Sequence, residues 1–220
     1  LSLSRLDAEG FVLAGGKSSR MGQDKAFLEF CGQPLIQGAL EIMNCAGLSS
    51  RIAGARSDLS DFAPVIPDLA EETGLGPLAG ICAALSACTS RFAAFLPVDL
   101  PFIPASLIEY LVHHAVVAEA AVTVVSVGGF IHNFPAVVDR AAGALLNASL
   151  HSGDRSCLKA FRAIGSALPS GFSVLPVELL VQPGQVAHSR GMHPSQWFLN
   201  LNSPADLKQL HELANGAGRF

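Results

Sequence analysis

The chain has 220 residues, half of them hydrophobic and only 15% charged, with a formal net charge of −4. Such a chain builds one folded domain, or one plus a modest appendage, whose core needs neither disulfides nor metals, and its composition excludes a disordered or fibrous protein. The mild acidity excludes a general nucleic-acid binder, so any anion must be met by local cations and backbone amides.

The first ten residues lack the basic and apolar regions of a signal peptide. An apolar run, Phe11 to Ala14, reads as a buried strand that empties into Gly15-Gly16-Lys17-Ser18-Ser19-Arg20-Met21-Gly22-Gln23-Asp24-Lys25. Glycines allow close backbone approach to a ligand, and successive N–H groups in such a turn form an anion-binding concavity. Lys17, Arg20 and Lys25 supply positive charge, offset in that loop by Asp24. After Pro34, the spacing of Leu35, Ile36, Ala39, Leu40, Ile42 and Met43 predicts a helix that stops near Gly47.

Ser50 to Ala53 and Ala63 to Ile66 read as strands, the second closed by Pro67-Asp68. Gly76-Pro77-Leu78-Ala79-Gly80 is a second glycine turn leading into a small-residue helix, Leu78 to Ala87. A strand over Phe92 to Val98 ends at Asp99, and Pro104 opens another helix. Ala120 to Val127 is the strand richest in β-branched residues, turned by Gly128-Gly129 toward an antiparallel partner at Phe134 to Val138. Helices follow over about 139 to 149 and 155 to 164, the latter capped by Asp154. Residues 173 to 182 and Trp197 to Leu201 read as strands, 183 to 196 as a flexible loop, and Pro204 to Leu213 as a closing helix capped by Ser203.

Strands alternating with helices predict an α/β fold: a single-domain, Rossmann-like three-layer sandwich with a mostly parallel central sheet. The expected division is an extension over 1–9, the domain over 10–215 and a tail over 216–220. In such sheets ligands bind beyond the carboxyl ends of the strands, which brings the turns at Gly15, Asp68 and Asp99 to one edge.

The first loop is not a P-loop, because position 11 is Phe where that motif needs glycine, and no helix follows directly. Gly-x-Gly-x-x-Gly is absent too. Cys31, Cys45, Cys82, Cys88 and Cys157 form no C-x-x-C pair; their odd count argues against a disulfide framework and for reduced cytoplasmic thiols. The seven histidines make no metal-ligand pattern. No apolar run is long enough to span a membrane.

The stretch Leu13-Ala14-Gly15-Gly16-Lys17-Ser18-Ser19-Arg20-Met21-Gly22-Gln23-Asp24-Lys25 closely resembles the signature of nucleotidyltransferases, and within them the molybdenum cofactor guanylyltransferases. Ile66-Pro67-Asp68, Gly76-Pro77-Leu78-Ala79-Gly80, Pro97-Val98-Asp99-Leu100-Pro101, Gly153-Asp154-Arg155 and Asn200-Leu201-Asn202-Ser203-Pro204 are similar to further motifs of that family, in its order. The double glycine and the Gly-Pro-Leu-Ala-Gly turn favour the guanylyl branch over the cytidylyl branch.

The resemblance implies transfer of GMP from GTP to molybdopterin with release of pyrophosphate. It assigns Arg20, Lys25 and Asp99 to catalysis, and Leu13, Ala14, Gly15, Gly16, Lys25, Asp68, Gly76, Pro77, Leu78 and Asp99 to the nucleotide. Arg155, Asn200 and Asn202 fall to the acceptor or pyrophosphate end, and Asp99 to Mg²⁺, with Mn²⁺ as the alternative. Other cofactor-biosynthesis proteins and apo-molybdoenzymes are the implied protein partners; nucleic acid and membrane are not. A cytidylyltransferase or sugar-phosphate nucleotidyltransferase, and a non-catalytic nucleotide-binding protein, are the competing readings. As residues alone, Asp99 could cap a helix, Asp68 and the two asparagines could be turn formers, and Lys17 could face solvent. His132 lies near where the family has a His-Pro pair, but two residues separate it from Pro135. Ala53-Gly54-Ala55 lacks an asparagine that relatives carry near the guanine.

Overall fold

The computed structural model describes residues 7–15, 24–68, 72, 74–153, 155–168 and 171–216. Gly16, Lys17, Arg20 and Asp154 lie outside the described residues. The strands are β1 (Ala8–Leu13), β2 (Glu29–Phe30), β3 (Gln33–Pro34), β4 (Ser50–Ala53), β5 (Val65–Ile66), β6 (Phe92–Pro97), β7 (Val122–Val127), β8 (Phe130–Asp139) and β9 (Phe172–Pro176). The helices are α1 (Leu35–Cys45), α2 (Pro77–Ala87), α3 (Ala105–Ala118), α4 (Gly143–His151), α5 (Cys157–Ala167), α6 (Val177–Val181), α7 (Pro194–Trp197) and α8 (Pro204–Gly216).

Among the described residues, seven strands form one sheet in the order β5-β4-β1-β6-β8-β7-β9, while β2 and β3 make a separate hairpin. Only β8 runs against its neighbours; the β5–β4, β4–β1, β1–β6 and β7–β9 pairings are parallel. One apolar core lies between the sheet and α1, α3 and the C-terminal elements, and a second between the sheet and α2, α4 and α5. This is the expected three-layer α/β sandwich. The near-continuous burial of β1, β6 and β7 follows from helices covering both sheet faces.

The register fixes the functional edge. Leu13 pairs with Ala53 on one side and Pro97 on the other, and Ala53 pairs with Ile66. Strands β1, β4, β6 and β5 therefore end in line, and the turns after them start side by side.

Several elements depart from the periodicity reading. Strand β1 begins at Ala8 rather than Phe11, because Glu9 is polar only in isolation. Its carboxylate accepts from Thr89 N and Oγ1 at 2.7 Å and Ser90 N at 2.9 Å, and pairs with Arg51. Burial alone would raise the Glu9 pKa; these hydrogen bonds and the Arg51 charge outweigh it and hold it at about 2. The strand expected over 173 to 182 stops at Pro176, and α6 follows. The strand expected at Trp197 to Leu201 does not form: Trp197 ends α7, and 198–201 are turn and irregular backbone. Pro194 starts that helix, His193 and Gln196 form a capping box, and the buried Trp197 donates to Met192 O at 2.9 Å. Residues 183 to 196 are not a free loop: Val186 and Met192 are buried, and Val186 N donates to Leu180 O. Helix α5 is capped by Ser156.

Candidate active site

The aligned strand ends open onto a cavity of about 730 Å³. Of the sequence-predicted residues, Leu13, Ala14, Gly15, Lys25, Asp68, Gly76, Pro77, Asp99, Asn200 and Asn202 line it. Leu78 does not: it is fully buried beneath the α2 N-terminus. Arg155 is exposed and lies outside the lining.

Lys25 is the centre of the arrangement. Asp24 caps the 3₁₀ turn Lys25–Phe27, accepting from Ala26 N at 3.0 Å. From there the ammonium reaches Asp99 Oδ2 at 3.2 Å and Asn202 Oδ1 at 2.7 Å. Asp99 sits in the turn after β6, and α3 begins beyond it, behind Pro104. The carboxylate is therefore free of any capping duty. Its backbone carbonyl accepts from Leu201 N at 3.0 Å, which docks the Asn200–Asn202 segment onto the strand end. Asp206 completes that segment by accepting from Asn202 N at 2.9 Å and Ser203 N at 2.8 Å.

Asp68 stands across the cavity. Its Oδ1 is buried without a hydrogen-bond partner, and burial, together with the charge of Glu72, pushes its pKa above the ordinary carboxylate value. An unpaired buried acceptor is costly unless something donates to it; a bound base or sugar would. Gly76, at φ +89, closes the same wall and leads into α2, whose N-terminus favours negative charge.

The remaining wall was not legible from motifs. Strand β8 bulges: His132 pairs with Val125 while Val137 pairs with Thr123, so β8 spends five residues where β7 spends two. The excess carries Asn133 and Phe134 into the cavity lining beside His132. A proline inside an alternating strand, Pro135, was the available signal. The His132 ring stacks on Phe198 with centroids 4.2 Å apart, and burial lowers its pKa, so it is neutral at pH 7. Its separation from Pro135 does not remove it from the cavity. Arg56 also lines the cavity, and none of the sequence motifs points to it. At the neighbouring Gly54, φ is +138 and a Cβ would stand 3.1 Å from Gly15 N, so glycine there lets β4 end against the β1 turn.

All five cysteines are free. Burial pushes Cys82 up to about 12 and Cys88 and Cys157 to about 11, so these thiols carry no nucleophilic chemistry at neutral pH. Among the described residues, no three His, Cys, Asp or Glu side chains could together hold a metal ion.

A mostly parallel sheet whose strand ends meet in a cavity lined by glycine, lysine and aspartate defines an α/β protein with a ligand site at the carboxyl edge of its sheet. Comparison with known proteins sharpens that class. Residues 10–166 match the MobA-like NTP transferase domain, and the chain belongs to that nucleotidyltransferase family. A molybdenum cofactor guanylyltransferase of Cereibacter sphaeroides is 32% identical over 93% of this chain and 95% of its own length. One from Xanthomonas euvesicatoria pv. vesicatoria is 38% identical over a shorter stretch, 46% of this chain; the chain spans about half, 52%, of that relative. The crystal structure of molybdopterin-guanine dinucleotide biosynthesis protein A from Archaeoglobus fulgidus has a TM-score of 0.75 at 25% identity, covering 94% of this chain and 99% of that one.

Proposed function

We propose that the chain transfers GMP from GTP to molybdopterin, releasing pyrophosphate and forming a guanine dinucleotide. The observation that carries the reading is the convergence of Gly15, Lys25, Asp68, Asp99 and Asn202 on one cavity at the sheet edge. The names of full-length relatives supply the substrates. Free thiols and a nucleotide substrate support a cytoplasmic site of action, with molybdoenzymes as recipients of the product.

The reaction is an in-line attack of an acceptor phosphate on the α-phosphorus. A phosphate monoester is ionised near neutral pH, so the protein must position the reactants and stabilise charge rather than remove a proton. A neutral His132 and protonated thiols suit that division of labour. An ammonium has three donors. Lys25 spends two on Asp99 and Asn202, which aims the third at the triphosphate. Asp68 offers its unpaired oxygen to N–H or O–H donors of the nucleoside.

A divalent cation fits this donor set in one way only. Among the described residues no cluster of protein ligands encloses one, whereas Mg²⁺ is held by one or two carboxylates plus substrate phosphates. Asp99, placed at the strand end with no capping partner, is the residue that would hold it. When bound, the cation supplies charge compensation for the phosphate oxygens.

The test is pyrophosphate release from GTP and Mg²⁺ with added molybdopterin, alongside calorimetry with GTP, CTP and ATP. Turnover with GTP and tightest binding of GTP are expected. Equal or tighter binding of CTP, or turnover only on a sugar 1-phosphate, would overturn the guanylyl assignment.

A further inference from the structure

The Arg56 guanidinium is nearly enclosed, its side chain 11% exposed, although it lies on the wall of a cavity suited to anions. A guanidinium has five N–H groups in a fixed fork, and four of them donate to an oxygen within 3.2 Å. Nε donates to Asp58 Oδ1 at 2.9 Å, and Nη1 donates to Ala14 O at 3.2 Å and Asp24 Oδ1 at 3.1 Å. Nη2 stands 2.8 Å from both Asp58 Oδ2 and Asp24 Oδ2. The group also lies over the Phe27 ring, 5.7 Å from its centroid.

This engagement argues against direct phosphate binding. Four of the five N–H groups donate to protein oxygens, and one guanidinium between two carboxylates leaves the trio net negative. What the fork does grip is the chain on either side of the glycine-rich stretch. Ala14 precedes Gly15 at the end of β1, and Asp24 precedes Lys25. The same Asp24 Oδ1 that accepts from Arg56 also accepts from Ala26 N, so the arginine holds the cap of the turn that carries Lys25. Phe27, at the other end of that turn, packs under the guanidinium. Arg56 itself is anchored by Arg56 N donating to Gly54 O at 2.8 Å, where β4 meets the Gly15 backbone.

The structure assigns Arg56 as the positioning residue that aims Lys25 at Asp99 and Asn202, by clamping Ala14 and Asp24, the two flanks of the glycine-rich stretch, to the end of β4. The inference deepens the nucleotidyl-transfer reading and rests on it for its biological meaning. Its test does not, because inorganic tripolyphosphate serves as the probe and requires neither guanine nor molybdopterin.

Calorimetry with tripolyphosphate would be run on the full chain and on Arg56→Gln, Lys25→Ala and the double variant, with thermal midpoints in parallel. Each single change is expected to weaken binding about tenfold, and the double variant to bind within about twofold of Lys25→Ala alone. An arginine that touched the polyphosphate directly would give roughly a hundredfold loss in the double variant, which would overturn the assignment. So would wild-type affinity in Arg56→Gln. Arg56→Lys keeps the charge but cannot bridge both flanks, and it decides the matter should Arg56→Gln not fold. Three- to tenfold weaker binding at an unshifted midpoint is expected for it, and full rescue by lysine would refute the clamp. A chain that binds tripolyphosphate in this pattern yet fails to turn over GTP would leave the clamp standing and remove the guanylyl reading alone.

Discussion

Single side chains in this site are held by named partners, so their removal has definite signs. Lys25→Ala is expected to lower turnover at least ~10-fold, about 1.4 kcal/mol on the rate scale, measured as pyrophosphate release at saturating GTP. Asp68 carries the opposite economy. Its pKa is raised by burial and by Glu72, so the ionised carboxylate works against the native state, and that penalty is complete above the raised value. Asp68→Asn is therefore expected to raise the thermal midpoint at pH 7 while weakening GTP binding. Its advantage in stability should shrink as the pH falls and the wild-type carboxyl takes up a proton. Melts across pH and GTP calorimetry read the two effects separately.

At the scale of elements, the amino end of the sheet is fastened by Glu9, which ties β1 to Arg51 of β4 and to the Thr89–Ser90 turn before β6. With its pKa held at about 2, Glu9 contributes stability that is complete above the ordinary Glu value of about 4.3 and is lost as the pH falls toward 2. That contribution is on the order of 3 kcal/mol. Glu9→Gln is expected to destabilise the protein by roughly that amount at pH 7 and to flatten the acid limb of stability, as measured by urea unfolding. The same residue shows where sequence reading gives out. Apolar runs such as Phe92 to Val98 mark strands because burial on both faces demands them, and Pro77 and Pro104 mark helix starts because their backbone angles suit the first turn. A buried glutamate gives no such signal, since its partners stand 42 to 81 positions away. Nor do the short helices α6 and α7, which tertiary contacts and a capping box favour over the β-branched and aromatic composition of their segments.

For the molecule as a whole, the three strand-end motifs were legible because a parallel sheet forces them to one edge, and the register delivers them there. The wall built by β8 was not, because a three-residue excess in β8 is a property of pairing rather than of composition. Nor was the Arg56 clamp, whose donors reach oxygens on segments far apart in the chain. The cavity is finished by the C-terminal segment, and Asp206 fastens it. Hydrogen bonds from Asn202 N and from Ser203 hold the Asp206 carboxyl below the ordinary range, so the fastening persists down to acidic pH. Asp206→Ala is expected to raise the KM for GTP severalfold and to speed amide exchange at residues 200–203 while exchange in β1 and β6 stays unchanged. Equal exchange at 200–203 in both proteins would show that Leu201 N and the Lys25–Asn202 contact hold the segment without Asp206.

The hydrogen bond from Lys25 to Asn202 joins residues 177 positions apart. Synthesis at about 5–20 residues per second puts roughly 9 to 35 seconds between the emergence of one partner and the other. For that interval a nascent chain can hold its lysine and its first strands but not the asparagine that accepts from it. On the proposed reading, GTP binding waits for Asn202, and a product terminated before it is expected to bind GTP more weakly.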